Sequence, residues 1–176
     1  MSFRPGKHLK IIPRITISNL RKRKKKTMEA NESGPTIISN NLPFAIICDI
    51  DGTIADLNGR SPFDTTKYLS DKTIEPISNI LRQLRDYYVL ILITGRKEEY
   101  REVTEKWLVE NDIPFDHLFM RKDDDKRQDT AIKKEIYFTF IDGEFHIEFV
   151  LEDRKRVVDM WRSIGLTCLQ VTDGNY

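Results

Sequence analysis

The stretch Phe44-Ala-Ile-Ile-Cys-Asp-Ile-Asp-Gly-Thr53 decides the fold class. A short, nearly all-apolar run that ends in polar residues and a glycine is typical of a strand buried on both faces. Asp49 and Asp51 lie two residues apart at the end of this run, so their side chains point the same way. Gly52 permits a sharp turn that lets a phosphate approach the backbone. The stretch therefore predicts a buried strand with two carboxylates at its carboxyl end.

Downstream of this strand the apolar pattern alternates between strands and helices. Further buried strands are predicted at 88–93, 118–120, 147–151 and 167–171, and helices at 74–84, 100–111, 129–140 and 155–163. Asp71 or Thr73 is placed to cap the first of these helices. The alternation predicts an α/β fold, a Rossmann-like parallel sheet with helices on both faces. In such sheets the chemistry lies at the carboxyl ends of the strands.

The paired carboxylates indicate a particular chemistry. Two carboxylates this close repel unless a cation lies between them, and hard oxygen ligands favour Mg²⁺. A carboxylate can also attack phosphorus to give an aspartyl-phosphate. A calcium-binding loop is a weaker interpretation, because the glycine at the sixth loop position and the glutamate at the twelfth are absent.

An apolar strand directly before Asp-x-Asp-Gly-Thr resembles the haloacid dehalogenase superfamily of phosphatases. Other elements of that pattern follow in order: Thr94 after the second strand, Lys133 in a predicted helix, and the pair Glu152-Asp153 after a later strand. Lys134 is a neighbouring candidate for the lysine. Four matches in one order predict a Mg²⁺-dependent phosphatase.

The resemblance implies a role for each matched residue. Asp49 would be the nucleophile, and Asp51 would protonate the leaving oxygen and then activate water. Thr94 would hydrogen-bond the transferring phosphoryl group, and Lys133 would neutralise the charge of the nucleophile and the phosphate. The magnesium ligands would be Asp49, the backbone carbonyl of Asp51 and Asp153, with Glu152 as a further candidate.

A narrower resemblance concerns the substrate. From about Phe44 to the C-terminus the sequence is similar to the 3′-phosphatase domains of bacteriophage polynucleotide kinase/phosphatases. The similarity implies that the chain removes 3′-phosphates from DNA or RNA ends, and that Arg60, Gly95 and Arg96 bind the phosphate. Glu152 departs from that pattern, which has an aspartate there, so Glu152 is expected to act from outside the innermost ligand shell.

The charge of the chain is distributed unevenly. Residues 1–43 contain ten Lys or Arg and two Asp or Glu, a formal +8, whereas the whole chain carries only +1. Like charges at this density repel, so residues 1–43 are predicted to be a basic, largely disordered arm and residues 44–176 a phosphatase domain. The arm would contact nucleic acid phosphates, although a solubilising tail or a localisation signal would look the same.

Several classes are disfavoured by composition. No apolar run reaches the length of a membrane-spanning helix, and no secretory signal is recognisable, so a cytoplasmic protein is expected, or a nuclear one in a eukaryote. Cys48 and Cys168 are interpreted as small core residues, and Trp107 and Trp161 as packing residues rather than base platforms. None of the eight glycines begins a Gly-x₄-Gly-Lys-Ser/Thr phosphate loop, so no nucleotide-dependent kinase activity is predicted.

Three functions remain open at this point. The leading hypothesis is a polynucleotide 3′-phosphatase that acts on nucleic acid 3′-phosphate ends. The first alternative is a phosphatase of free nucleotides or other small phosphate esters. The second is a nucleic-acid-binding module without catalysis, which would have no chemical need for both aspartates. The sequence does not indicate an oligomeric state.

Overall fold

The computed structural model describes residues 42–57, 59, 61 and 64–174. Its strands are β1 Phe44–Cys48, β2 Ala55–Asp56, β3 Lys72–Thr73, β4 Val89–Lys97, β5 His117–Arg121, β6 His146–Glu152 and β7 Cys168–Gln170. Five of them form one sheet in the order β5-β4-β1-β6-β7, and every pairing in it is parallel. The predicted parallel sheet is confirmed, with the Asp-x-Asp strand β1 at its centre. Residues 1–41 of the predicted arm, and Arg60, lie outside the described residues.

Four α-helices connect the strands, as the apolar spacing predicts. They are α1 Glu75–Leu84, α2 Arg101–Glu110, α3 Asp129–Ile136 and α4 Lys155–Ser163, and α3 continues into a π-helical turn at Tyr137–Ile141. The prediction that Asp71 or Thr73 caps α1 is wrong, since no side chain caps that helix. None of the helices in the described part of the chain is long and apolar enough to cross a membrane.

The helices cover both faces of the sheet because β1 is apolar on both sides. Ala45 and Ile47 pack in one buried cluster with residues of α3 and α4. Ile46 and Cys48, which point to the other face, pack in a second cluster with residues of α1 and α2. Trp161 lies in the first cluster and Trp107 in the second, each 0% exposed. Both tryptophans are therefore packing residues, as predicted.

Strand β4 is longer than its apolar run. The sequence predicts that it ends at Ile93, but the strand continues through Lys97. The register against β5 shifts in this extension, where Ile93 pairs with Phe119 and Lys97 pairs with Arg121. Between these two pairs, three residues of β4 lie opposite one residue of β5. Such a bulge redirects side chains and is common beside active sites.

The segment between β1 and α1 folds over the carboxyl edge of the sheet. Its strands β2 and β3 pair antiparallel, and a 3₁₀-helix spans Thr65–Ser70 between them. Elements this short have no apolar period, so the sequence analysis missed them. They place Tyr68 and Asp71, both buried, above the sheet.

Both cysteine thiols should be unreactive in the folded protein. Burial raises the pKa of Cys48 well above its ordinary value and that of Cys168 to about 12, so neither forms the reactive thiolate near pH 8. We expect Ellman's reagent to modify the native protein slowly and to release two equivalents after unfolding in guanidinium, because the chain has two cysteines. Rapid modification of either thiol in the native protein would contradict this assignment.

Candidate active site

The floor of the site is a lysine held between two carboxylates. Asp49 directly follows β1 at the centre of the sheet, and Glu152 ends the neighbouring strand β6. Lys133 of α3 donates to Asp49 Oδ1 at 2.6 Å and to Glu152 Oε2 at 2.7 Å. All three side chains are buried. The expected convergence at the carboxyl edge therefore brings Asp49, Lys133 and Glu152 into direct contact.

Asp153 adds a third carboxylate to this floor. One carboxylate oxygen from each of Asp49, Glu152 and Asp153 lies within 4.8 Å of the others. Thr53 Oγ1 donates to Asp153 Oδ1 at 3.3 Å, and the amide of Gly174 donates to the Asp153 carbonyl at 3.2 Å. The last described residues of the chain thus pack directly on this aspartate.

The electrostatics of the floor favour a dication. Three carboxylates and one ammonium give a formal charge of −2 in a buried cluster. Burial raises the pKa of Asp49 well above its ordinary range, against the lowering by Lys133, and burial likewise raises the pKa of Glu152. Burial alone would lower the pKa of Lys133, but the two carboxylates raise it above the usual value, so this lysine stays protonated. The donor set fits Mg²⁺, which binds proteins through carboxylate oxygens.

Asp51 faces a buried arginine. Arg96 donates to Asp51 through Nε at 2.9 Å and Nη2 at 2.8 Å, and its Nη2 also lies 3.2 Å from Asp71 Oδ2. The guanidinium carbon lies 4.0 Å from the centre of the Tyr68 ring and 5.8 Å from that of Trp107. Hydrogen bonds to the two aspartates hold the edge of the guanidinium, and the Tyr68 ring packs against its face. The fixed guanidinium in turn orients the Asp51 carboxylate. Arg96 Nη1 has no hydrogen-bond acceptor within the described part of the chain.

The remaining predicted residues lie at the edges of this arrangement. Thr94 is fully buried in β4, where its Oγ1 accepts a hydrogen bond from the Arg96 amide at 3.2 Å. Gly95 lines the cleft above the floor. A Cβ at this position would lie 3.0 Å from the Asp129 carboxylate, so the small residue permits a close approach. Lys134 is exposed on α3 and does not contact Asp49, which leaves Lys133 as the lysine of the site.

One aspartate joins three segments beside the floor. Asp129 begins α3 and forms ion pairs with Arg121 at the end of β5 and with Arg154 just before α4. Arg121 also donates from Nε to the Gly95 carbonyl at 3.0 Å and from Nη1 to the Arg127 carbonyl at 2.7 Å. We call Arg121, Asp129 and Arg154 the Asp129 brace. It fixes the start of the helix that carries Lys133.

A cleft of about 550 Å³ opens above the floor. Among the described residues, eight Lys or Arg and five Asp or Glu side chains line it, a formal surplus of three positive charges. Two tyrosines, Tyr68 and Tyr100, also line it and pack edge to face with ring centres 5.6 Å apart. The cleft has the size of a site for a small organic ligand and the charge of a site for an anion.

The sequence analysis missed the residues that support the predicted ones. Asp129 lies one helical turn before Lys133 on the same helix, a spacing that could have suggested a shared face. Thr53 directly follows the Asp-x-Asp-Gly stretch. Asp71 and Gly174 carry no local signal, because their contacts with Arg96 and Asp153 join segments that are distant in sequence.

Known proteins share the fold of this chain, and a family model covers most of its length. The fold matches a haloacid dehalogenase-like hydrolase from Streptococcus pneumoniae with a TM-score of 0.53 at 14% identity over 73% of this chain and 84% of that one. The model of the polynucleotide kinase PNKP phosphatase domain family matches residues 43–176. The chain belongs to this family.

Similar proteins and solved structures agree with this assignment. A chain in the structure of the Pnkp1/Rnl/Hen1 complex is 39% identical, with a TM-score of 0.75, over 82% of this chain and 53% of its own length. A second structure, of the Pnkp1/Rnl/Hen1 RNA repair complex, matches at 35% identity and a TM-score of 0.75 over 95% of this chain and 58% of its own. A candidate bifunctional polynucleotide kinase/RNA ligase of Autographa californica nuclear polyhedrosis virus is 27% identical over 152 residues, 84% of this chain. The chain spans 22% of that viral protein and little more than half of each complex chain.

Proposed function

We propose that this chain is a Mg²⁺-dependent polynucleotide 3′-phosphatase that works through an aspartyl-phosphate at Asp49. The observation that carries the proposal is the position of Asp49, which lies on the floor of a basic cleft with Lys133 2.6 Å from its carboxylate. A buried carboxylate beside a fixed cation can approach an anionic phosphate without charge repulsion. The family assignment supports the same chemistry.

The two aspartates divide the reaction between them. A carboxylate oxygen of Asp49 attacks phosphorus, the bond from phosphorus to the 3′ oxygen breaks, and Asp51 gives a proton to that oxygen. Water then attacks the aspartyl-phosphate, Asp51 takes a proton from it, and inorganic phosphate leaves with Asp49 restored. The ion pair with Arg96 orients the Asp51 carboxylate for both transfers.

The charged groups around the floor bind and orient the phosphate. Lys133 lies beside Asp49, and Arg96 Nη1 is a donor that no described residue occupies. Asp49 and Asp153, with the Asp51 carbonyl, would hold Mg²⁺, and Glu152, paired with Lys133, would act from outside the innermost ligand shell. The ion would supply charge stabilisation for the transferred phosphoryl group. Thr94 and Gly95, and Arg60 outside the described residues, complete the proposed phosphate contacts.

The substrate proposal rests on the relatives and on the cleft. Those relatives are named for RNA repair and for polynucleotide kinase and RNA ligase functions. A basic cleft of about 550 Å³ accommodates more than a phosphate group. We therefore propose strand ends with a 3′-phosphate as the substrate, RNA ahead of DNA, in the healing of broken nucleic acid.

Phosphate release from matched oligonucleotides tests this function. The substrates carry a 3′-phosphate or a 5′-phosphate in RNA and DNA forms, each with Mg²⁺ and with EDTA, and a free 3′-nucleotide is assayed in parallel. We expect metal-dependent release from 3′ ends, and none from the Asp49→Asn variant because it lacks the nucleophile. Acid quenching of the wild-type enzyme with ³²P-labelled substrate should trap label on the protein.

Two results would redirect the proposal. Release mainly from the free nucleotide would retain the phosphatase chemistry and assign a small-molecule substrate. Full activity of Asp49→Asn would reject Asp49 as the nucleophile.

A further inference from the structure

The charges that line the cleft are unevenly paired. Each of its five carboxylates forms an ion pair with a cation of the same cleft, namely Asp49 and Glu152 with Lys133, Asp51 with Arg96, Asp125 with Arg127, and Asp129 with Arg121 and Arg154. Lys97 is paired with Glu99. Lys126 and Arg156 also line the cleft, and neither has an ion-pair partner among the described residues. These two side chains are the surplus cations of the site.

The surplus cations do not belong to the catalytic floor. Asp49 and Lys133 are 6% and 3% exposed, whereas Lys126 and Arg156 are exposed at the rim. In the proposed function, the terminal phosphate on the floor contacts Lys133 and the metal held by the acidic side chains. The rim cations are therefore available to a second anionic group of the same ligand.

Arg156 lies at the end of its helix where a positive charge is unfavourable. It lies in the first turn of α4, which contains no acidic residue, so its charge faces the positive end of the helix dipole. The charge of Lys155, its neighbour in that turn, is balanced by Asp159, whose Oδ2 lies 2.6 Å from Lys155 Nζ. Arg156 has no such acidic partner among the described residues. A cation at the positive end of a helix dipole is unfavourable by itself. Such an exception is expected at a binding site, where an anionic ligand balances the charge.

The two cations lie on segments that the Asp129 brace joins. Lys126 is in the loop between β5 and α3, next to Arg127, whose carbonyl accepts from Arg121. Arg156 follows Arg154 by two residues, and Arg121 and Arg154 both pair with Asp129. The brace therefore anchors beside the cleft both of the segments that carry these cations.

We propose that Lys126 and Arg156 form a second phosphate subsite, which binds the phosphodiester next to the terminal phosphate of a polynucleotide. The inference rests on the proposed function and adds a basis for selecting strand ends over mononucleotides. A mononucleotide has only the phosphate that the floor binds, so the rim cations contribute nothing to its turnover. A strand end has both groups and gains from both subsites.

The test compares Lys126→Gln/Arg156→Gln with Lys134→Gln, which removes an exposed charge outside the cleft. For a short 3′-phosphorylated oligonucleotide we expect the double variant to lose about tenfold in kcat/KM. The slope of log kcat/KM against log salt should fall by about 1. Turnover of the 3′-mononucleotide should be unchanged, and Lys134→Gln should match the wild type on both substrates. An equal loss on both substrates, or no loss on the oligonucleotide, would overturn the subsite.

A binding measurement separates this inference from the proposed function. Fluorescence anisotropy of a labelled 3′-phosphorylated oligonucleotide is measured with Asp49→Asn and with Asp49→Asn carrying the two glutamines. Weaker binding with a smaller salt slope in the second protein supports the subsite even where the wild type hydrolyses no 3′-phosphate. Equal binding by the two proteins rejects the subsite even where hydrolysis is observed.

Discussion

Lys133→Met should lose both activity and stability. The lysine is the cation between Asp49 and Glu152, and its removal leaves two buried carboxylates facing each other. Breaking a buried ion pair by removing one partner costs about 3–5 kcal/mol of unfolding free energy. Loss of one fixed cation at the phosphoryl group should lower kcat by about 10²–10³-fold or more. Urea unfolding and oligonucleotide turnover measure the two effects.

Lys134→Met is the matched control, because Lys134 is the next residue of the same helix and its side chain is exposed. It should retain wild-type turnover and stability. Adding Glu152→Gln to Lys133→Met should restore part of the stability, since it removes one of the two opposed charges, but none of the activity. Wild-type stability of Lys133→Met would show that the two carboxylates do not depend on this lysine.

Gly174→Ala should weaken metal binding although it replaces none of the proposed ligands. A Cβ on Gly174 would lie 2.8 Å from the carboxyl carbon of Asp153 and closer still to its Oδ2, so the carboxylate or the chain must move. Changes in the groups that orient metal ligands typically cost 10–100-fold in metal affinity or activity. We expect a 10–100-fold higher Mg²⁺ concentration for half-maximal activity, and isothermal titration calorimetry should show the same weakening without substrate.

The neighbouring exposed residue provides the control for this change. Asp173→Ala alters the same segment without introducing a clash, because the Asp173 side chain is exposed. It should bind Mg²⁺ as the wild type does. If both variants weaken the metal equally, a general loosening of the segment explains the result and the contact between Gly174 and Asp153 does not.

The sheet could be predicted because it depends on local patterns, and the floor could be predicted by adding a family resemblance to them. The apolar run before Asp49 fixes a buried strand, and parallel strands meet at one edge. Asp49 follows from a strand end in that scheme, whereas Lys133 and Glu152 are predicted from the resemblance to the phosphatase family. The predicted roles of Thr94, Gly95, Arg60 and Arg96 in phosphate binding remain predictions, since no contact with a phosphate tests them.

The partners of these residues could not be predicted, for a physical reason. Tyr68 and Asp71 fix Arg96. Tyr68 lies in the 3₁₀-helix Thr65–Ser70, and Asp71 is the residue that follows this helix. Such a segment has neither the helical nor the strand period, so nothing in the sequence places it over the sheet. The contact between Gly174 and Asp153 likewise depends on how the chain turns after β7. Tertiary packing, and not local pattern, selects these contacts.

The Asp129 brace constrains how this chain can change in evolution. Arg121, Asp129 and Arg154 belong to three separate elements but share one carboxylate. Replacing Asp129 alone would remove the carboxylate that two guanidinium groups share, beside a cleft that already has a positive surplus. Residues in one such network have non-additive effects on stability. Substitutions at the three positions are therefore epistatic, and a lineage can exchange them only together or through intermediates that have already lost the arginines.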